Sequence, residues 1–232
     1  VLGAFLLIKA LPQDVFIAKP EYMTKSWVMS LLPLTLFAGL ITLDSQVSIL
    51  FLGFLGPNEE VGLLRVAVTG ASLVSFGLNV VNMVLAPQIV RLYNAGEIEK
   101  LQRMIRLSTR MVAVISFPVA LILMMWGEGI IGLVFGEEYI EAALALTILC
   151  FGQLVNTSAG SVALVLNMSG HDKQALYGII VALVLNMVFS LLLIPHFGLV
   201  GAAISFSISL SAWNIVLMYM AKKYTGIKTS LV

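Results

Sequence analysis

Two ionisable residues, Asp44 and Arg65, lie within long apolar stretches of this 232-residue chain. Asp44 is flanked by several hydroxyl and amide residues, among them Gln46. A carboxylate in an apolar environment must be paired, hydrated or protonated, because burying an uncompensated charge is costly. We therefore expect Asp44 either to handle a substrate or an ion or to hold neighbouring helices together.

Arg65 follows a Gly-Pro-Asn turn at 56–58 and enters the next apolar stretch. Counted from that turn, Asp44 lies about five residues deeper than Arg65, or ~7 Å along a helix. An arginine side chain can bridge this gap, so one prediction is an Asp44–Arg65 ion pair that locks a helical hairpin. The alternatives are an Arg65 side chain that extends to the lipid headgroups, and roles for both residues in substrate or ion handling.

Polar residues recur at steps of three and four along two of the apolar stretches, which places each set on one helix face. The first set is Arg65, Thr69, Ser72, Ser75, Asn79 and Asn82, and the second is Gln153, Asn156, Gly160 and Asn167. Hydrogen bonding between helices explains many single residues of this kind, whereas two continuous polar faces favour a hydrated central cavity. The candidate residues for a substrate or ion path are Asp44, Gln46, Arg65, Ser72, Asn79, Asn82, Gln153 and Asn156.

Enzymatic chemistry finds little support in the sequence. It contains no Ser-His-Asp set, no pair of acids at catalytic spacing and no phosphate-binding glycine loop, so we expect neither an enzyme nor a bound cofactor. Cys150 is the one cysteine, and His171 and His196 lie in separate short polar connections, so we expect no metal site. The near balance of 13 basic and 12 acidic residues excludes nucleic-acid binding.

The composition is that of a membrane protein, since 60% of the residues are hydrophobic and only 11% are charged. Six apolar runs approach or exceed the roughly 20 residues that a helix needs to cross a bilayer. Because only closed backbone hydrogen bonding is stable in lipid, we predict an all-α polytopic transmembrane helical bundle. The predicted spans are 26–55, 61–87, 111–126, 140–168, 175–194 and 199–221, preceded by the end of a truncated span over 1–10 and a cytoplasmic connection over 11–25.

Loop charge sets the predicted orientation, because Lys and Arg accumulate on the cytoplasmic side of a membrane. Alternate connections hold all but one of the 13 basic residues, the exception being Arg65. The connection before the first span, the segment 91–110 and the tail 222–232 are therefore predicted to be cytoplasmic. Over about 94–110 the apolar and basic residues occupy different helix sides, which fits either a helix in the membrane interface or a solvated loop.

The stretch 186–203, NMVFSLLLIPHFGLVGAA, resembles the junction of the last two spans of the polysaccharide biosynthesis flippases. These form the Wzx-like branch of the multidrug/oligosaccharidyl-lipid/polysaccharide exporter superfamily, in which an apolar run ends in Leu-Ile-Pro before an aromatic residue, Gly and Gly-Ala-Ala. The segment 44–64 is similar to the hairpin of the seventh and eighth spans of that family, with Leu64 where an aromatic residue is usual. Residues 166–173 are similar to the turn after its tenth span.

This resemblance implies that the chain is the C-terminal six-helix lobe of a two-lobed, MATE-like transporter. The whole transporter would flip a polyprenyl-pyrophosphate-linked oligosaccharide across the bacterial inner membrane by alternating access, for surface polysaccharide such as O-antigen. The implied partners are that lipid-linked oligosaccharide, membrane lipids and the missing N-terminal lobe, and the implied coupling ion is a proton or sodium. Two alternatives stay open: a MATE-type drug or cation antiporter with an acid-dominated cavity, and a non-transporting membrane scaffold subunit.

Overall fold

The computed structural model describes residues 24–229. The chain divides into two compact units, 1–32 and 33–232, and every interaction described below lies within the second. The predicted end of a span over 1–10 and most of the predicted connection over 11–25 lie outside the described residues.

The described residues are predominantly helical, and none of them forms a β-strand. Five segments are long and apolar enough to cross a membrane, namely Thr35–Leu55, Asn58–Asn94, Ile98–Val134, Glu137–Ala159 and Asp172–Thr225. The predicted all-α polytopic membrane bundle is confirmed. The α-helices are α1 (Thr24–Leu55), α2 (Asn58–Asn94), α3 (Ile98–Val134), α4 (Ala143–Ala159), α5 (Val162–Met168) and α6 (Asp172–Thr225), with a 3-10 helix over Glu137–Ala142.

Helix α6 is a hairpin of two arms, 172–197 and 199–225, which cover the predicted spans 175–194 and 199–221. Its backbone leaves the helical region at Gly198, where φ is 49° and ψ is −126°. Residues other than glycine rarely adopt this backbone conformation. Near the break Gly201 lies against Leu193, farther away the Ser209 hydroxyl donates to the Ala182 carbonyl at 2.8 Å, and farther still Gly178 lies against Leu217. The two arms are therefore antiparallel, and each exceeds the roughly 20 residues that a membrane span requires.

The start of the second arm is capped by an acid from another helix. The Glu60 carboxylate, in the first turn of α2, accepts a 2.6 Å hydrogen bond from the Leu199 backbone amide. The first amides of a helix lack intrahelical partners, and the helix dipole favours negative charge at that end. Glu60 thereby fixes the turn of α6 against the start of α2.

The segment 94–110, predicted as an interfacial helix or a solvated loop, does not form a separate helix. Helix α3 begins at Ile98 and is regular as far as a kink at Trp126, so the basic residues from Lys100 to Arg110 and the predicted span 111–126 belong to one helix. Its apolar side chains Leu101 and Ile105 are fully buried against α2, α5 and the C-terminal segment rather than facing lipid headgroups. The break predicted at Gly127 is a kink at Trp126, after which the helix continues to its end.

The predicted span 140–168 is divided into three pieces, the 3-10 helix, α4 and α5. Between α4 and α5, Gly160 has a φ of 74°. A Cβ atom at this position would overlap the Thr109 hydroxyl of α3. The helix therefore ends at a glycine that lies directly against Thr109 of α3, a tertiary contact that hydropathy does not encode.

The predicted tail 222–232 begins as helix and then packs against α3. Helix α6 ends at Thr225, and Ile227 is fully buried beside the first turns of α3. The Lys228 amide donates to Gln102 Oε1 at 2.7 Å, and the Thr109 hydroxyl donates to the Thr229 carbonyl at 3.0 Å. The described part of the tail is thus a fixed element of the bundle.

One apolar core joins α2, α3, α4 and the α6 hairpin. Alanine residues supply much of it, including Ala67, Ala120 and Ala202, which are all fully buried. Small side chains let helix backbones approach closely, which is how helices associate where lipid is as apolar as the protein. This core holds the polar residues described next in fixed positions.

Candidate functional site

Five buried polar side chains form one network between α1 and the two arms of α6. They are Asp44, Ser48, Asn186, Ser190 and Ser209, here called the Asp44 cluster, and their exposed fractions lie between 0% and 6%. Asp44 and Ser48 come from α1, Asn186 and Ser190 from the first arm, and Ser209 from the second. In α1 and in the first arm the spacing of four residues places both partners on one helix face.

Asn186 is the hub of the Asp44 cluster. Its side-chain amide donates to both the main-chain oxygen and Oδ1 of Asp44, each at 3.0 Å. Its Oδ1 accepts hydrogen bonds from Ser48 at 2.8 Å and from Ser190 at 3.3 Å. The Ser209 hydroxyl lies 3.3 Å from Asp44 Oδ1 and so connects the second arm. Asn186 thus joins α1 to the first arm of α6, and Ser209 joins the second arm to the same carboxyl group.

The partners of the Asp44 carboxyl group are all neutral. The predicted Asp44–Arg65 ion pair is wrong: among the side chains that the structure describes, the only ion pair joins Lys100 to Glu97, at 2.8 Å. Arg65 instead lies exposed on α2. A buried carboxylate that lacks a cationic partner is stable only when a proton or a bound cation neutralises it. The hydrogen bonds from Asn186 and Ser209 therefore leave the charge of an ionised Asp44 uncompensated.

A second group of polar residues follows the exposed side of α2. Arg65, Thr69, Ser72 and Asn79, here called the α2 stripe, are exposed in the lobe, whereas the opposite side of the helix is buried in the core. The hydroxyls of Thr69 and Ser72 donate to carbonyls of their own helix, at 2.8 Å and 2.7 Å. Their oxygen lone pairs and the guanidinium of Arg65 are left facing outward, where a polar ligand or a second lobe can contact them.

Asn82 continues the α2 stripe toward the interior. Its side chain is half-buried, and its Oδ1 atom is buried without a hydrogen-bond partner among the described residues. Buried amide oxygens are nearly always hydrogen-bonded in folded proteins. Asn82 therefore offers an acceptor at the edge of the stripe.

The remaining candidates serve helix packing in this structure. Gln153 and Asn156 of α4 are half-buried and form a chain with Asn214 of α6, through hydrogen bonds of 3.2 Å and 3.1 Å. Gln46 donates only to its neighbour Ser45, at 3.3 Å. The structure thus brings Gln153 and Asn156 together, and neither side chain forms a hydrogen bond with Asp44 or with a residue of the α2 stripe.

Sequence reasoning missed Asn186, Ser190, Ser209 and Asn214 as site residues. Asn186 appeared only as the first residue of the resembling junction, and no role followed from that position. A signal was nevertheless present, because Asn186 and Ser190, like Ser205 and Ser209, are spaced by four within strongly apolar helices. An amide in such a run must find a partner on another helix.

Comparisons with known proteins agree with this architecture. A family model described as "Lipid II flippase MurJ" matches residues 71–232. A probable low-salt glycan biosynthesis flippase, Agl15, of Haloferax volcanii is 23% identical over 79% of this chain and 39% of its own length. The capsular polysaccharide biosynthesis protein CapF of Staphylococcus aureus is 30% identical over 62% of this chain and 37% of its own.

A third relative, an uncharacterised membrane protein of Methanocaldococcus jannaschii, is 28% identical over 73% of this chain and 33% of its own length. The chain therefore spans between a third and two fifths of the length of these curated relatives. Among solved structures, a MATE protein in a bent conformation superimposes with a TM-score of 0.68 at 20% identity, over 86% of this chain and 46% of that one. This likeness shows a fold shared with part of a MATE transporter.

The resemblance to polysaccharide flippases read from the sequence is confirmed by these matches. The family model includes the whole of α3, α4, α5 and α6, together with the part of α2 that carries Ser72, Asn79 and Asn82. Since it matches well over half of the residues, the chain belongs to the lipid II flippase MurJ family.

Proposed function

We propose that this chain is one lobe of a transporter that flips a polyprenyl-pyrophosphate-linked oligosaccharide across the cell membrane by alternating access. The observation that carries the proposal is the α2 stripe, a group of exposed polar side chains on a helix whose opposite side is buried in the apolar core. Polar groups inside a membrane span normally face a water-filled path or another protein segment rather than lipid. The stripe is thus the surface on which we expect the second lobe to close a path.

The chemistry of the α2 stripe suits that substrate. A guanidinium such as Arg65 binds phosphate oxygens in a bidentate manner, and hydroxyl and amide groups such as Ser72 and Asn79 match the hydrogen-bonding groups of sugars. Two relatives are named for glycan or capsular polysaccharide biosynthesis, which supports a glycan-bearing substrate. The remaining length of the relatives supports an N-terminal lobe that completes the transporter.

For orientation, we propose that the end of α3 carrying Arg103, Arg106 and Arg110, and the C-terminus, face the cytoplasm. This proposal rests on the positive-inside rule, because the segment 91–110 and the tail 222–232 hold eight of the 13 basic residues. In a bacterium the membrane is the inner membrane, and the product is a precursor of surface polysaccharide.

We propose the Asp44 cluster as the binding site of a coupling ion, a proton or sodium. Support comes from its buried carboxyl with neutral partners and from its position between α1 and both arms of α6. Binding of a cation there would strengthen the contacts that join three helical segments, whereas its release would leave a buried charge unpaired. Ion occupancy would thereby change the relative stability of two arrangements of these helices.

The alternative that an observation favours is a drug or cation antiporter, because the structural neighbour is a MATE transporter. An antiporter for organic cations needs an acidic path, yet the charged residue of the exposed stripe is Arg65. The stripe therefore favours an anionic substrate.

Complementation tests these roles. The full-length protein is expressed in a bacterium that lacks its own lipid-linked oligosaccharide flippase, and surface polysaccharide and intracellular precursor are measured at matched protein levels. We expect Arg65→Ala to lower polysaccharide about tenfold, since a charge-assisted hydrogen bond contributes about 1.5–3 kcal/mol. We expect Arg65→Lys to retain part of the activity, and Asp44→Asn to remove its dependence on a sodium or pH gradient.

Lys222→Ala is the matched control, because it removes one exposed basic charge at the far end of α6. Its activity should equal that of the wild type. Full activity of Arg65→Ala beside wild-type rescue would exclude the stripe from the path. Failure of the wild type with a matching glycan, together with drug efflux, would establish the antiporter instead, and losses that follow protein level alone would indicate a scaffold.

A further inference from the structure

Three arginines form a basic cavity on one face of α3. Arg103, Arg106 and Arg110 recur at steps of three and four, so they lie on the same side of the helix. With Glu99, Gln102 and Leu107 they line a cavity of about 570 Å³. The Nε atom of Arg106 is buried and has no hydrogen-bond partner among the described residues. Glu99 forms no ion pair with these arginines, since the one ion pair among the side chains that the structure describes joins Lys100 to Glu97.

An apolar groove continues directly from the basic cavity. Arg110 lines both, and the groove, also of about 570 Å³, lies between α3 and α4. Its walls include Val114, Phe117 and Leu154, and the first two are 73% and 56% exposed. Residue spacing places Val114 and Phe117 on the helix face that carries the arginines. The face thus changes from cationic to apolar within about one helical turn.

We propose that this continuous surface, the α3 groove, is a specific binding site for an anionic membrane phospholipid. The phosphate group would lie against the three arginines, and one acyl chain would follow the groove past Val114 and Phe117. The surface is complementary to such a lipid in both charge and shape. The anionic headgroup would pair with the guanidinium groups, and the acyl chain would cover the exposed apolar side chains of the groove. The proposal does not depend on the flipping activity.

The geometry favours a lipid over a soluble anion. A free phosphate would contact the arginines and leave the apolar groove uncovered, whereas a neutral lipid would fill the groove and leave the arginines unpaired. On the orientation proposed above, this end of α3 lies at the cytoplasmic leaflet, where anionic lipids attract basic residues. Each basic residue near such a headgroup changes affinity about fivefold.

The test uses the full-length protein in nanodiscs of phosphatidylcholine with increasing phosphatidylglycerol, with bound lipid counted by native mass spectrometry. We expect wild-type protein to retain phosphatidylglycerol over phosphatidylcholine, and the triple variant Arg103→Gln, Arg106→Gln, Arg110→Gln to lose roughly a hundredfold in that preference. The control variant Arg91→Gln, Lys222→Gln, Lys223→Gln removes three exposed charges elsewhere. It should retain the wild-type preference.

A second measurement locates the acyl chain without altering the arginines. Phosphatidylglycerol with a photoreactive diazirine in its acyl chain should label peptides containing Val114, Phe117 and Leu154 in wild-type protein. Equal lipid preference in the triple and control variants, or labelling spread evenly over the exposed helices, would overturn the proposal. Preferential retention of a polyprenyl pyrophosphate over phosphatidylglycerol at equal mole fraction would also overturn it, and would assign the groove to the flippase substrate.

Discussion

The Asp44 cluster and the α2 stripe both place polar side chains within apolar helices, but they satisfy those side chains in opposite ways. In the cluster, five buried side chains bond to one another across three helical segments. Along the stripe, exposed hydroxyls bond only to their own helix, and Arg65 has no acidic partner among the described residues. The first arrangement completes a lobe, whereas the second leaves a surface that lipid cannot satisfy.

This difference separates two roles that a count of polar residues cannot distinguish. A buried network in a membrane bundle stabilises helix contacts and can hold an ion. An exposed polar row on the same bundle contributes little to folding of the lobe but is available to a substrate or to a second lobe. Stability measurements and transport measurements should therefore respond to different residues.

The largest expected effect comes from removing the hub of the Asp44 cluster. Asn186→Leu eliminates both amide donations to Asp44 and the acceptor for Ser48 and Ser190. Leaving buried polar groups unsatisfied costs about 1–3 kcal/mol each in general, so we expect a loss of at least about 2 kcal/mol in unfolding free energy. Denaturant or thermal unfolding in a fixed detergent measures it.

The matched control for Asn186→Leu is Asn79→Leu, which changes the same residue type on the exposed α2 stripe. Its effect should remain within about 0.5 kcal/mol, as for most surface substitutions. Equal destabilisation by both variants would mean that the contrast between buried and exposed polar residues does not govern stability in this lobe.

Much of this architecture is accessible from the sequence, because its causes are local. Membrane spans follow from run length, and the turn at 195–198 follows from Pro195 and Gly198. The tertiary partners are not local. The division of the predicted span 140–168 depends on the approach of Thr109 to Gly160, and the fusion of the basic segment with α3 depends on burial of Leu101 and Ile105.

The candidate residues follow the same division. Asp44 was identifiable from the sequence because a carboxylate within an apolar helix is costly to bury. Its partner was not identifiable: the depths of the two residues in the membrane were compatible with an Asp44–Arg65 pair, whereas the structure places Asn186 beside Asp44. Gln153 and Asn156 shared the periodicity of the α2 stripe, yet they pack on Asn214. Periodicity reports which residues share a helix face, whereas the neighbour of that face is set by the packing of the whole bundle.

A double-mutant cycle sharpens the assignment of partners for Asp44. We expect Asp44→Ala and Asn186→Ala to be coupled by about 1–2 kcal/mol, because the two residues share hydrogen bonds in one buried network. The parallel cycle of Asp44→Ala with Arg65→Ala should be additive to within about 0.5 kcal/mol, as for residues that share no partner. Unfolding of the wild type, the three single variants and both double variants gives the two coupling energies, and a larger coupling to Arg65 would restore the hairpin-locking ion pair.

The smallest expected effect on stability lies in the α2 stripe. Arg65→Ala, Ser72→Ala and Asn79→Ala should each change the unfolding free energy by less than about 0.5 kcal/mol, because these side chains contact no other helix of the lobe through hydrogen bonds.

Single cysteines at positions 65, 72 and 79, in a Cys150→Ala background, should react with a membrane-impermeant maleimide, whereas cysteines at the lipid-facing positions Val84 and Val114 should not. Cys150 is the one cysteine of the chain and is buried, so the Cys150→Ala background contains no other thiol that the maleimide could label. Labelling that is equal at stripe and lipid-facing positions, or a stability loss above about 1 kcal/mol for Arg65→Ala, would mean that the stripe does not line an aqueous path. The lobe alone would then give no reason to look for a path at α2, and the polar residues of that helix would need a partner within the membrane instead.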